Sequence, residues 1–328
     1  MDACNKKTAL VTGATGFIGK ALCSYLLQNG FYVRALTRQM SQLNSQCEWV
    51  YGDITKSDSL NNLCDGIDVV FHLAGYAHAY EEANIDFKIF HETINLQGTI
   101  NIIHESKRAG IKKFIFFSSV KACADANAFM DETWNKRPTD AYGLAKRQAE
   151  EAVLSSGLDA IILRLPLVYG VGVKGNLAAM LQGIARGYFP TPPPVQNQKS
   201  MISLNDLCRV ALLAATVEKT EQKIFIITDG IFYSTYDMVQ MMRRALNKRK
   251  ITLHLPLWCW YAFAKVGDCV QWVIQKRFPI NTKAVKKLFS SATYSSAYTK
   301  KELQFEPQFT LKDILPAMID AAAIEKKS

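Results

Sequence analysis

Tyr142-Gly143-Leu144-Ala145-Lys146 sets a phenol and an ammonium four residues apart, which on a helix puts both on one face. Moving a hydride to or from a carbinol carbon requires a proton to leave or join the carbinol oxygen. A free tyrosine, with a pKa of about 10, is too weak a base for that near neutral pH. A lysine charge beside it, together with an oxidised nicotinamide, favours phenolate and lowers that value. Tyr261 and Lys265 repeat the spacing, but inside an aromatic run, Trp258 to Phe263, that reads as packing. Only Tyr142 follows a strand ending in hydroxyls, Ser118-Ser119, one of which would orient the substrate oxygen.

Such chemistry needs a dinucleotide held nearby. Val11 to Gly19 follows a strand and opens a helix, with Gly13, Gly16 and Gly19 spaced for a tight turn, close approach to a pyrophosphate, and helix–strand packing. Thr15, Phe17 and Ile18 fill the turn, and the diphosphate would sit on the exposed amides there. Asp53, before Ile54, could accept a bond from adenine, although alone it reads as a turn residue. Leu73, Ala74 and Gly75 end another strand with small residues that let a cofactor lie against backbone. At the end of the second strand, Val33 to Arg38 holds no carboxylate to grip a ribose 2′-hydroxyl, but it carries Arg34 and Arg38. A guanidinium can fork onto a 2′-phosphate, so NADP(H) is favoured over NAD(H); the plain alternative is that both arginines face solvent.

The elements that must position these groups alternate. Apolar runs at Thr8–Thr12, Tyr32–Thr37, Trp49–Tyr51, Val69–Leu73, Lys113–Phe117 and Ala160–Arg164 read as strands. Ile18–Asn29, Ser57–Leu63, Phe87–Ala109 and Ala141–Ser156 between them have helical spacing. Ser57 and Thr139 read as caps, and Asn29-Gly30 as a helix end. The pattern predicts a Rossmann-type, doubly wound parallel sheet over residues 1–170. Residues 171–328 read as a smaller α/β cap for substrate, partly interleaved with the first region and too poor in strands for a sheet of its own. Its strands are Met201–Asp206 and Lys223–Thr228; its helices are Tyr236–Asn247 and Pro256–Ile274.

Composition narrows the field. The chain of 328 residues is 49% apolar and 21% charged, a globular balance without repeats or low-complexity tracts. Up to Gly170 there are 17 basic and 18 acidic residues; from Val171 on there are 22 and 11, so the net +10 arises in the second half. A basic cap suits a phosphorylated small molecule, while signatures of nucleic-acid binding are missing. The eight scattered cysteines suit reduced thiols of a cytoplasmic protein, with no metal-ligand spacing. Met1 to Lys7 does not read as a signal peptide, and Lys265 and Asp268 break the one long apolar stretch, so no transmembrane segment is expected. Leu253–Phe278, with Trp258, Trp260 and Trp272, could lie on a bilayer, but packing within the cap is the preferred reading.

Taken together, Thr12–Gly19, Gly52-Asp53-Ile54, His72–Gly75, Asn95–Thr99, Ser118-Ser119, Tyr142–Lys146 and Leu163–Gly170 resemble the extended short-chain dehydrogenase/reductases. More narrowly they resemble the NAD-dependent epimerase/dehydratase family acting on nucleotide sugars. The resemblance implies Tyr142 as acid/base, Lys146 as its electrostatic partner and a holder of the nicotinamide ribose, and Ser119 as the orienting hydroxyl, with Ser118 as fallback. It implies Asn95 beside the cofactor, and Asn176 and Lys199 on the nucleotide diphosphate. The plain alternatives are a helix asparagine bonding backbone, a loop cap and a solvated charge. Leu167 stands where the family has a polar substrate contact, and Val120-Lys121-Ala122 lacks the acid pair of a dehydratase.

The expected activity is therefore oxidoreduction at C4 of a nucleotide-diphosphate hexose in surface polysaccharide biosynthesis. The absent acidic residue tilts this to an NADP(H)-dependent 4-keto sugar reductase. The alternatives are a UDP-hexose 4-epimerase with tightly bound NAD, a flavonoid- or steroid-type reductase, and a non-catalytic dinucleotide-binding protein. A homodimer through Phe87–Ala109 and Ala141–Ser156 is also what the resemblance implies.

Overall fold

Short apolar strands separated by amphipathic helices can bury both faces only as a parallel sheet between helical layers. The computed structural model describes residues 6–40, 45–77, 85–124, 129–221, 223–249, 254–274 and 281–324. In chain order its first half comprises β1 (Thr8–Thr12), α1 (Phe17–Gln28), β2 (Tyr32–Thr37), β3 (Glu48–Tyr51), β4 (Val69–His72), α2 (Ile85–His91), α3 (Gly98–Arg108), β5 (Lys113–Ser119), α4 (Ala141–Ser155), β6 (Ala160–Leu165) and β7 (Leu167–Tyr169). There follow α5 (Asn176–Arg186), β8 (Lys199–Ser203), α6 (Leu204–Thr216), β9 (Ile224–Ile226), β10 (Phe232–Tyr233), α7 (Thr235–Ala245), α8 (Leu257–Ile274), α9 (Thr282–Phe289), α10 (Ala297–Leu303) and α11 (Leu311–Ile324).

Seven strands pair in the order β3-β2-β1-β4-β5-β6-β9, every pair parallel. The side-chain alternation of a strand sorts the core into two layers. Val11, Phe71 and Ile115 pack with Leu22 and Leu26 of α1 and Leu207 of α6 on one face. Leu10, Val70 and Phe114 pack with Ile102 of α3 and Val153 of α4 on the other. Thus the Rossmann-type expectation holds.

The local differences have physical causes. Residues 57–63 make only a 3₁₀ turn, Ser57–Leu60. Helix 87–109 is broken by a π-helical turn at Glu92–Gln97, between α2 and α3. The cap of α4 is Asp140, whose Oδ1 accepts from the Gly143 amide at 2.8 Å, and not Thr139. β8 ends at Ser203 because that hydroxyl turns to cap α6, accepting from the Asp206 amide at 3.0 Å.

The second half also departs from expectation. It supplies β8 and β10 to a separate three-stranded sheet, β10-β8-β7, where too few strands for a second sheet were expected. Its β9 leaves that region altogether and pairs with β6, completing the large sheet.

Beneath β5 and β6 lies a buried ion pair. The Arg164 Nη2 and Nε atoms donate to the Glu150 carboxylate at 2.7 and 3.0 Å, and the Ser118 hydroxyl donates to the same carboxylate at 2.5 Å. Removing one partner strands a buried charge. Glu150→Ala is expected to cost about 3–5 kcal/mol in urea unfolding, whereas truncating the exposed Glu151 of the same helix should change it by less than about 1 kcal/mol.

Candidate active site

The carboxyl ends of the parallel strands bring the sequence motifs onto one edge of the sheet. β1 and β4 are neighbours there although β2 and β3 lie between them in sequence, so the connections diverge and leave a crevice. Gly13 turns the chain at φ +71°, and a side chain on it would stand 2.8 Å from the Ala74 amide nitrogen. One on Gly19 would stand 2.1 Å from the Gly13 carbonyl oxygen. The Gly16 amide closes the turn onto that same carbonyl at 3.0 Å. No side chain caps α1 at Gly16 and its first turn is free of acids, so the amides around Phe17 and Ile18 are suited to an anion, with Thr15 exposed beside them.

Further along the edge, Gly75 stands beneath two polar groups. A side chain there would meet Asn95 Oδ1 at 2.8 Å and Lys146 Nζ at 3.6 Å. Leu73 and Ala74 are half-buried at the same strand end. The glycine turn, the uncapped helix and the exposed Gly75 between them fit a dinucleotide. When bound, such a cofactor supplies the hydride donor and acceptor.

Asn95 sits inside the π-helical turn and is fully buried. Its Oδ1 accepts from the Tyr76 amide at 2.7 Å, and its Nδ2 donates to the Tyr76 carbonyl at 3.0 Å and to His91 Nδ1 at 3.1 Å. It therefore clamps the segment just after Gly75. His72 joins this clamp to the glycine turn. Burial pushes its pKa down to about 3, with the Lys146 charge adding to the effect, so the ring is neutral. The Thr12 hydroxyl lies 2.7 Å from Nδ1 and that of Thr99 3.0 Å from Nε2, while Thr99 donates to the Asn95 carbonyl at 2.7 Å. With Thr99's proton so committed, Nε2 is the protonated nitrogen and Thr12 donates to Nδ1.

The structure brings Ser119, Tyr142 and Lys146 together. Tyr142 and Lys146 share the buried face of α4, and the Ser119 hydroxyl lies close enough to the Tyr142 phenol to pull its pKa down. Ser118, the fallback, points instead to Glu150, since neighbouring strand residues face opposite ways. Burial pushes the phenol pKa up, opposed by the Ser119 hydroxyl and reinforced by Asp140. The lowering expected from Lys146 is not seen: desolvation sets the direction. Lys146 is also buried, donates to the Phe117 carbonyl at 2.9 Å and lies 4.6 Å from the centre of the Phe116 ring. Burial brings its pKa down to about 8 despite the nearby Glu150 charge.

Other predicted residues are placed as follows. Arg34 turns away, paired with Glu48 at 3.0 Å and donating to the Leu63 and Asp65 carbonyls, so Arg38 alone remains at the open end of β2. Asp53 lies near Arg38; burial raises its pKa, but bonds from Thr55 and the Arg38 and Lys56 charges hold it below the usual range. Ile54 packs its side chain onto Gly98 at the start of α3. Asn176 opens α5, whose preceding loop reaches back so that a side chain on Gly172 would stand 3.9 Å from the Phe17 ring. Lys199 donates to the carbonyls of Lys287 and Ser290 at 3.0 and 2.7 Å, at the end of α9. Burial and the charges of Lys287 and Lys121 lower its pKa to about 8. Sequence reasoning missed His91, whose ring meets that of Tyr142 at 5.6 Å, and it missed Lys121 as a member of this cationic group. The four-residue spacing of His91 and Asn95 was the available signal.

Such a cradle with a Ser-Tyr-Lys trio defines a dinucleotide-dependent dehydrogenase/reductase of the extended short-chain type. The family model described as "NAD dependent epimerase/dehydratase family" matches residues 9–227, and the chain belongs to that family. It is 28% identical to a UDP-glucose 4-epimerase of Vibrio cholerae over 94% of this chain and 93% of the relative. It is 26% identical to a 3β-hydroxysteroid dehydrogenase/Δ5→4-isomerase of Mycobacterium tuberculosis, over 93% and 88%. Among solved structures it is similar to UDP-glucose 4-epimerase of Thermotoga maritima with UDP-glucose, at TM-score 0.76 and 22% identity, over 97% of this chain and 99% of that one. That likeness shows the fold.

Two measurements check the site. Ser119→Ala should lower kcat by about 10²-fold or more, while Ser118→Ala should leave turnover nearly unchanged and cost about 1 kcal/mol of stability. His72 has an ordinary pKa of 6.5 unfolded and about 3 folded, so the unfolded chain binds the extra proton between these values. Stability is complete above pH 6.5 and falls as pH drops, by about 1.4 kcal/mol per unit; His72→Asn should remove that slope between pH 6 and 4.5.

Proposed function

We propose that this enzyme works at C4 of a nucleotide-diphosphate hexose as a 4-epimerase, with NAD retained through the cycle. The observation that carries the reading is the grouping of Tyr142 and Lys146 on the buried face of α4, with the Ser119 hydroxyl acting on the phenol and Lys146 close over Gly75. Ser119 orients the C4 hydroxyl. Tyr142 removes its proton as C4 is oxidised, and returns a proton to the C4 oxygen when the keto sugar is reduced on its other face. The resting phenol is neutral because burial raises its pKa, so proton acceptance depends on positive charge in the site. Lys146 supplies part of that charge and is placed to hold the nicotinamide ribose. The grouping of Lys121, Lys199 and Lys287 supports a diphosphate handle, with Asn176 at the first turn of α5. The 4-epimerase relative of similar length supports the reaction.

A second reading has its own observation. Arg38, with no carboxylate at the end of β2, supports NADP(H) and one-way reduction of a 4-keto sugar. We further propose residues 171–328 as the substrate-holding portion. Exposed Ile89 and Phe90 of α2 and Leu154 of α4 support a homodimer seam through these helices.

Cofactor identity separates the two reactions. Denaturing freshly purified protein should release about one NAD per chain, and apo protein should show no preference for NADPH. Stoichiometric release fits the epimerase; an empty site preferring NADPH, with Arg38→Ala weakening NADPH more than NADH, fits the reductase. In either case Tyr142→Phe should abolish turnover while leaving dinucleotide binding nearly intact.

A further inference from the structure

Helix α8 lies between two unlike environments. Trp260 and Ala264 are buried against α9, where Val285 packs and the Trp260 ring meets those of Phe289 and Phe189 at 5.4 and 5.8 Å. That half matches the packing expected from sequence. The opposite half does not, because Trp258 and Trp272 are 72% and 76% exposed, and Val266 and Phe263 are 62% and 59% exposed. A helix on the surface of a water-soluble domain normally turns charge outward. This one is apolar on both sides, and its outward side carries Lys265 as its cation.

Cations outnumber acids on α8 and α9, with four lysines against one aspartate. The single acid of α8, Asp268, is turned toward α9, accepting from the Thr282 hydroxyl and amide at 2.5 and 3.1 Å. α9 contains no acid and exposes Lys283, Lys286 and Lys287. Exposed tryptophans over an apolar helix face that carries Lys265, beside a helix that exposes three lysines, have the chemistry of a surface that lies in the headgroup region of an anionic bilayer. No helix among the described residues is long and apolar enough to cross a membrane, so contact would be in the plane of the interface.

We propose that the outward face of α8, with the lysines of α9, seats this protein on an anionic lipid surface. Tryptophan and phenylalanine enter the headgroup–acyl boundary, and Lys265, Lys283 and Lys286 meet lipid phosphates. The carbonyls at the end of α9 are those that hold Lys199, so one element serves both the lipid-facing surface and the basic side of the site.

The test is flotation of the full-length protein with vesicles of phosphatidylglycerol and phosphatidylcholine in equal parts, beside vesicles of phosphatidylcholine alone. At low salt the protein should float with the anionic vesicles, show a blue shift of tryptophan emission, and detach at high salt. Trp258→Ser with Trp272→Ser should weaken binding by about tenfold or more, and Lys283→Glu with Lys286→Glu should weaken it at low salt. Dinucleotide titration of each variant reports that the fold persists. Failure to float with anionic vesicles, or full binding by the tryptophan variant, overturns the proposal. So does a fall in native mass in that variant without lipid, which would assign the face to a second copy of the chain.

Discussion

A cation is kept inside this protein, and much of the site is arranged around the cost of keeping it. The Lys146 ammonium is buried, where an uncompensated charge costs several kcal/mol. The Phe117 carbonyl and the face of Phe116 meet it directly. Glu150, one turn along α4, supplies opposite charge and is itself locked by Arg164 and Ser118. The requirement runs outward from there. β6 must present Arg164 under the helix, β5 must present Ser118 downward, and only then does Ser119 meet the phenol. The same charge helps to keep His72 neutral, which lets that ring accept from one threonine and donate to another.

The His72 chain explains why an irregular helix belongs here. A π-helical turn carries one residue more than an α turn and leaves a carbonyl poorly served. At Glu92–Gln97 the irregularity buries Asn95, and the Thr99 hydroxyl takes up the Asn95 carbonyl. Glycine turn, strand end and clamp asparagine are thereby linked through side chains. Motion of one is resisted by the others, as a site that must hold a reacting carbon near a phenol requires.

The motifs of the first half were legible because their chemistry is local. Three glycines in seven residues, or a tyrosine and lysine on one helix face, impose their geometry wherever strand and helix flank them. The choice between Ser118 and Ser119 was not legible, because it depends on which face of β5 meets Glu150, thirty-two residues later. Arg34 and Arg38 looked equivalent until Glu48 of the neighbouring strand claimed the first. The small sheet was concealed because β10 has two residues, β7 has three, and their partner β8 is distant from both. Helix α6 did carry a signal, Ser203 three residues before Asp206, hidden within a run that also satisfies a strand.

The position of β9 makes the order of synthesis matter. A nascent chain that has emerged only as far as β6 carries a sheet whose last strand has an open edge, a ready template for pairing with another chain. The strand that covers it arrives after β7, α5, β8 and α6 have all been made. Burying that edge therefore waits on more than fifty residues of the cap, from Leu165 to Ile224, and the two lobes mature as a single cooperative unit. A fragment cut after Gly170 would inherit the motifs of a cofactor-binding fold together with the exposed flank of an aggregating one.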